Sequence, residues 1–333
     1  MINQGSEEMA CTQPKANAVV VLGGGFGGIA TVLALSRCIP RPPIVLVEPR
    51  DRFVFLPLLY EVLSGELQTW EVAPTYISLL SNRGISLVEA SALSIDSQAQ
   101  TITTNSSLEL SYSELVIATG SETNDFDIKG VREHALLFRC LEDVVALKKR
   151  INELKLSGNK LHNLVIVGAG ATGVELSCKV ADMVEGAAKI HLIEMGERIL
   201  NGSKAFNQEQ AERAIAERNI ELHLNSRVLE TSEHSVEIIS EKNNHISTFS
   251  IAHKGLVWTA GTRAVVPELS PDSLLRNSLL PINSFLQVEG FSNVLAIGDV
   301  AYNSENSWPA NAQLALQQGQ AVAQIVMALR TGA

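Results

Sequence analysis

The chain has 333 residues, 46% of them hydrophobic and 19% charged, with a formal net charge of −10. That length accommodates two domains with proper cores, and an acidic balance without any Lys/Arg-rich run argues against nucleic-acid binding and against electrostatic docking on anionic lipid. The cysteines Cys11, Cys38, Cys140 and Cys178 lie far apart, in no metal or redox spacing, so a reducing compartment fits and the C-x-x-C of a disulfide reductase is missing.

Residues 1–17 are polar and carry Glu7 and Glu8 without the basic and apolar regions of a signal peptide, so they are expected to form a loose tail. No apolar run reaches the roughly eighteen residues of a membrane span.

The first ordered element is predicted to be a strand, Val19-Val-Val-Leu22, running into Gly23, Gly25 and Gly28 and then an apolar helix. In a G-x-G-x-x-G turn the first glycine turns the chain sharply, the second lets backbone approach a pyrophosphate, and the third lets helix pack on strand. The helix N-terminus then offers free N–H groups to phosphate. A second strand, Ile44–Val47, ends in Glu48, about twenty residues beyond the turn, where an acid reaches a ribose hydroxyl.

Pro49–Gly65 is too apolar for a solvent loop and too broken by Pro57 for one helix, so it must cover either core or ligand. Leu87-Val88, Leu93–Ile95, Thr101–Thr103 and Leu108–Leu110 read as a small antiparallel layer. A buried strand, Glu114–Ala118, ends at Thr119-Gly120, placing backbone against a ligand at the carboxyl edge of the sheet.

The pattern then recurs. Leu164–Val167 leads into Gly168, Gly170 and Gly173; Lys189–Ile193 ends in Glu194; a helix is expected over Gln208–Glu217. Short strands follow at Glu221–Leu224, Val236–Ile239 and Thr248–Ala252, and Gly255–Trp258 ends at Thr259-Ala-Gly261. Two complete fingerprints in one order imply a duplicated architecture holding two dinucleotides. A further strand, Asn293–Ile297, ends in Gly298-Asp299, and a long helix is expected from about Ala310 to Leu329. This tail has no counterpart after the first domain, and its simplest destination is that domain. The expected fold is therefore α/β, with two Rossmann-like domains of the glutathione-reductase type, the first discontinuous: a tail at 1–17, the first domain at 18–125 and 283–333, the second at 126–282.

Glu175 is read into the first turn of the second fingerprint helix, where a carboxylate is favourable simply because it faces the positive helix end. Gln313, Gln317, Gln320 and Gln324 fall on one helical face. That face is either turned to water or a set of amides that bind carbonyl oxygens without charging an apolar pocket.

With these residues in place the chain resembles the two-dinucleotide-binding-domain flavoproteins. Phe55-Leu-Pro-Leu-Leu-Tyr-Glu61 and Ala312-Gln-Leu-Ala-Leu-Gln-Gln-Gly319 resemble the type II NAD(P)H:quinone oxidoreductases among them, with the cyanobacterial and chloroplast demethylphylloquinone reductases the nearest branch. The resemblance implies FAD on the first fold and NADH or NADPH on the second. Hydride would pass from nicotinamide to flavin in a stack between the domains, and two electrons would go on to a quinone, without proton pumping or a metal. It places cofactor contacts at Gly23, Gly25, Phe26, Gly27, Gly28, Glu48, Leu59, Thr119, Gly120, Gly168, Gly170, Ala171, Thr172, Gly173, Glu194, Gly261, Gly298 and Asp299. It places Glu175 where nicotinamide meets flavin, Gln313 and Gln317 at the quinone, and Asp299 on the flavin's ribityl chain. A competing role for Asp299 is helix N-cap, and the helix after it would stabilise reduced flavin.

Glu194 favours NADH by repelling a 2′-phosphate, Arg198 could offset that, and the nearest branch is associated with NADPH; both coenzymes stay open. The family continues into a C-terminal region that docks on membrane, which this sequence lacks. The apolar strip Leu314, Val322, Ile325, Val326 and Leu329 is either its substitute or core. Peripheral membrane contact on the cytoplasmic or stromal side and a homodimer accompany the resemblance. The alternatives are a soluble NADH oxidase or small redox-protein reductase, and a flavoprotein redox sensor or scaffold.

Overall fold

A computed structural model describes residues 17–332 apart from 159–160, 243–244, 271–274, 276–277 and 306–307. The tail expected at 1–17, with Cys11, thus lies outside the described residues except for Asn17. The chain divides into two units, Met1–Phe53, Thr75–Ser121 and Ala264–Ala333 against Val54–Pro74 and Glu122–Arg263.

The first unit is built on a five-stranded parallel sheet in the order Val294–Ala296, Glu114–Ile117, Val19–Leu22, Ile44–Val47, Ile85–Val88. The three central strands are buried along their whole length. Continuous Val/Ile/Leu runs have both faces covered, which is the requirement of a parallel sheet. The helix Phe26–Leu35 packs against the C-terminal helix Ala312–Thr331. Their approach is close because Gly319 has no side chain: a Cβ there would overlap the Gly27 carbonyl oxygen and lie 2.8 Å from Ala30 Cβ. Val322 and Val326 enter the core, Ile325 packs beside it and Leu329 stays partly exposed, so most of the apolar strip is core. A smaller sheet sets Ala92–Asp96, Thr101–Thr104 and Glu109–Ser111 antiparallel, with Glu268–Ser270 added in parallel.

The second unit repeats the sheet order: Glu221–His223, Ala188–Ile193, His162–Val167, Gly255–Trp258, all parallel. A three-stranded antiparallel layer follows, Ser226–Thr231, Ser235–Lys242 and His245–Ala252. One expectation changes here: Leu87-Val88 belongs to a parallel edge strand of the first large sheet rather than to the antiparallel layer, and Glu221–His223 is likewise a parallel edge strand. Short runs look alike in either setting, and only the partner strand decides between them.

The helix Leu141–Leu156 was not expected. Its signal is present: Val144, Leu147, Ile151 and Leu154 are buried at helical spacing, and Asp143 closes the N-terminus by accepting the Cys140 amide at 3.0 Å. The Pro49–Gly65 segment resolves into two parts. Phe55 and Leu58 are exposed, while Leu59–Ser64 is a short helix whose Leu59, Tyr60, Val62 and Leu63 enter the core of the second unit. Residues 54–74 therefore go with the second unit, and 264–282 with the first, unlike the expected boundaries.

Candidate functional site

The two glycine turns have one geometry. Gly23 and Gly168 sit at φ +94° and +99°, where a side chain is strained, and the ends of neighbouring strands press on them: a Cβ would lie 2.8 Å from the Ala118 carbonyl carbon or from Ala260. At Gly28 and Gly173 a Cβ would overlap the carbonyl oxygen of Gly23 and Gly168 respectively, so the helix lies directly on the turn. At Gly25 and Gly170 a Cβ would meet nothing within 4 Å. Each turn is therefore sealed on its inner side and open at its middle glycine. Neither following helix, Phe26–Leu35 or Ala171–Val184, has a side-chain cap, which leaves its N-terminus available to an anion. The residues present fit a pyrophosphate at both turns.

The acids repeat too. Glu48 Oε2 accepts the Gly24 amide at 2.7 Å, and Glu194 Oε2 accepts the Ala169 amide at 2.7 Å. Each carboxylate ties its strand end to the residue after the first glycine. They differ in what remains. Arg50 donates to Glu48 from its amide at 3.0 Å and its guanidinium at 2.7 and 3.1 Å, so the usual acceptor positions of Glu48 are filled. Among the described residues Glu194 accepts besides only the Gly196 amide, at 2.8 Å, and keeps open positions for a ribose. Arg198 is exposed and lies 3.9 Å from Glu212. Removing the Glu194 carboxylate by Glu194→Ala loses charge-assisted hydrogen bonds of about 1.5–3 kcal/mol in all. The NADH-to-NADPH ratio of kcat/KM is expected to fall about tenfold, and an unchanged ratio would contradict a ribose-binding Glu194.

Other expected contacts separate into surface and support. Phe26 packs edge-on against Phe53, with centroids 5.2 Å apart. Gly27 is buried, and its Cβ would meet Ile297 at 2.9 Å. The Leu59 side chain is wholly buried in the second unit's core, so it faces packing rather than a cradle. Thr119 donates its hydroxyl to the Val265 carbonyl, and Gly120 turns at φ +68°. Gly261, at φ +65°, is crowded by the Phe126 ring.

Asp299 lies in the 3-10 turn Gly298–Val300 and accepts the Ser121 hydroxyl at 2.6 Å. It does not cap the long helix, whose cap is Asn311, accepting the Leu314 amide at 2.9 Å. Between them is a cleft of ≈140 Å³ lined by Gly298, Asp299, Asn311 and Gln318 among others. Gln313, Gln317, Gln320 and Gln324 are all exposed on one face of the helix. The inward glutamine is Gln318, whose Oε1 accepts the Gly298 amide at 2.8 Å.

Residues that sequence reasoning passed over complete the picture. Tyr76 is fully buried and donates to the Gly24 carbonyl at 2.8 Å, holding the first turn from behind. Nothing local in the sequence marks it. In the second unit Tyr60 lies near both Glu175 and Thr172. Glu175 is in the second turn of the helix beginning at Ala171, not the first, so the helix dipole explains it less well than expected. Partial desolvation raises its pKa, nearby Glu61 raises it further, and the Tyr60 hydroxyl works the other way. One carboxylate oxygen of Glu61 is buried without a hydrogen-bond partner among the described residues. Tyr60, Glu61, Thr172 and Glu175 thus form a polar patch in which a carboxyl proton is held to higher pH than on an open surface. The motif containing Tyr60 and Glu61 and the residue Glu175 were each visible in the sequence; their proximity was not.

The described cysteines Cys38, Cys140 and Cys178 are free. Burial pushes the Cys140 thiol up to about 12 and raises Cys178 as well, the reverse of what a redox-active thiolate needs.

Residues 17–319 match the family described as pyridine nucleotide-disulphide oxidoreductase. The chain belongs to that family. The demethylphylloquinone reductase NdbB of Synechocystis sp. is 34% identical over 94% of this chain and 80% of its own length. The alternative NAD(P)H-ubiquinone oxidoreductase C1 of Arabidopsis thaliana is 28% identical over 91% of this chain and 66% of its own. The kinship with type II NAD(P)H:quinone oxidoreductases thus extends over nearly the whole chain. The solved structure of NDH2 from Plasmodium falciparum in complex with NADH superposes with a TM-score of 0.83 at 19% identity, over 93% of this chain and 83% of that one. The sulfide:quinone oxidoreductase of Aquifex aeolicus superposes at 0.81 and 22% identity, over 95% of this chain and 77% of that one. At these identities the likeness speaks to the fold, which this family builds from two dinucleotide-binding units.

Proposed function

We propose that this protein is a flavin-dependent NAD(P)H:quinone oxidoreductase. The observation that carries the reading is the doubled cradle: two glycine turns open at Gly25 and Gly170, each tied to its own acid, in a chain whose similarity to a quinone reductase covers 94% of its length. FAD occupies the first unit and NADH or NADPH the second. Held by the first turn, a flavin would supply two-electron redox chemistry between coenzyme and quinone.

The chain's own residues bind, orient and hold protons. Gly23, Gly25 and Gly28 form the turn that takes the flavin pyrophosphate; Gly168, Gly170 and Gly173 with Ala171 and Thr172 take that of the coenzyme. Ser121 orients Asp299, which fits a role on the ribityl hydroxyls. Burial raises the Glu175 carboxyl above the usual carboxylate range, Tyr60 works against that rise and Glu61 adds to it. Gln313 and Gln317 present amides that suit a quinone carbonyl, since they are exposed and uncharged.

Tyr60→Phe removes the hydroxyl that favours the Glu175 carboxylate. The Glu175 titration is raised already, so it moves higher still, and its limb in the pH profile of kcat/KM is expected at higher pH than in the wild type. A profile that stays put would remove Tyr60 from the site.

No helix of the described residues is long and apolar enough to cross a membrane. Quinones are lipid-soluble, so the reading includes peripheral attachment on the cytoplasmic or stromal side. It also includes a homodimer, which sedimentation at working concentration checks. The central test is steady-state oxidation of NADH and NADPH by the yellow protein with a naphthoquinone and a benzoquinone. Turnover well above the oxygen background is expected. A rate that quinone leaves at that background would return the chain to the oxidase class.

A further inference from the structure

The second unit carries a cluster outside the nucleotide cradle. His191 and Glu221 are register partners on adjacent parallel strands, and His223 follows Glu221 by two. Side chains alternate across a strand, so the register puts all three on one face of the sheet. His191 Nδ1 and His223 Nε2 lie 3.0 Å apart. Glu221 Oε1 is 3.7 Å from His223 Nε2, and Oε2 is 4.0 Å from His191 Nδ1. The three ligand atoms lie within 4.8 Å of one another.

We propose that His191, His223 and Glu221 form a binding site for a divalent transition-metal ion of the zinc class. Metal–ligand bonds near 2.1 Å in a tetrahedron put ligand atoms about 3.4 Å apart, inside the range of separations here. Two imidazoles and one carboxylate, with water in the fourth position, are a donor set that zinc accepts. Both rings are largely buried. The Phe249 ring, 5.8 Å from that of His223, walls one side. Two features set the affinity. Lys189 Nζ lies 2.5 Å from Glu221 Oε2, leaving Oε1 as the ligand atom and placing a positive charge close to the ion. His191 Nε2 is buried without a partner among the described residues, so the usual acceptor behind a metal-bound imidazole is lacking. Binding is therefore moderate rather than structural in strength. The ion would brace two strands at the end that carries Glu194, whose amide donates to the His223 carbonyl at 2.8 Å.

The test is calorimetric titration of Zn²⁺ into tag-free, flavin-loaded full chain, with Tm recorded alongside. One equivalent is expected to bind, with a rise in Tm of several degrees. His223→Gln should abolish stoichiometric uptake, and Glu221→Gln, at a half-exposed side chain, should weaken it at least tenfold. Lys189→Met should tighten it, because a like charge has gone; a merely packed histidine pair would give no such gain. Should His223→Gln lose flavin or fail to fold, Glu221→Gln and Lys189→Met decide. Absence of saturable uptake at micromolar zinc would overturn the site, as would uptake indifferent to these substitutions. Neither result touches the quinone reductase assay, which needs no added metal.

Discussion

Gly28→Ala is expected to give a colourless protein. A Cβ at that position overlaps the Gly23 carbonyl oxygen and comes 3.0 Å from the Gly23 carbonyl carbon. Both are backbone atoms, and Gly23 itself is held by a bond from its amide to the Val47 carbonyl at 2.8 Å. No flexible side chain can move aside. The helix must lift from the strand, and lifting it pulls apart the close contact between Gly27 and Gly319 that joins it to the C-terminal helix. The cost is at least about 3 kcal/mol, in the range of severe overpacking. The first phosphate cradle opens with it. Flavin absorbance per chain after purification, and the denaturation midpoint, measure both effects. A yellow Gly28→Ala protein of normal stability would mean that the first turn is not where flavin is held.

The matching substitution in the second unit separates the two cofactors. At Gly173 a Cβ overlaps the Gly168 carbonyl oxygen and lies 2.8 Å from Thr259 Oγ1. Thr259 donates to the Val167 and Gly168 carbonyls at 2.8 and 3.1 Å, so it too is fixed. Gly173→Ala should leave a yellow protein, because the flavin fold has its own core. Its KM for NAD(P)H should rise at least about a hundredfold, near 2.7 kcal/mol of lost binding. Reduction of the flavin by dithionite should be unaffected. Loss of flavin from this variant, with coenzyme affinity kept, would reverse the assignment of the two folds.

Both predictions rest on features that neighbouring residues specify. A strand of β-branched residues, three glycines at fixed spacing and an apolar helix act within a dozen positions, and the turn geometry appears as read, twice. The acids were legible for the same reason. What they do was only half legible: the spacing pointed each to a ribose, whereas the turn amide that each accepts and the guanidinium that fills Glu48 are set by the folded chain. The helix Leu141–Leu156 was readable from its apolar spacing, and its many charges obscured it. The glutamine face was read correctly as a stripe, while Gln318, one position off it, turned out to be the inward residue.

The sequence by itself determined that there are two nucleotide folds and that the strand Asn293–Ile297 and the final helix stand outside the repeat. Those are matters of local sterics and periodicity. The tertiary structure decided which strands are parallel edges, that Leu59–Ser64 packs in the second unit, and that Tyr60 meets Glu175 across more than a hundred residues of chain. It also brought His191 to Glu221 and His223. Such pairings depend on which apolar faces bury one another, and burial is a property of the whole chain that no short window of residues contains.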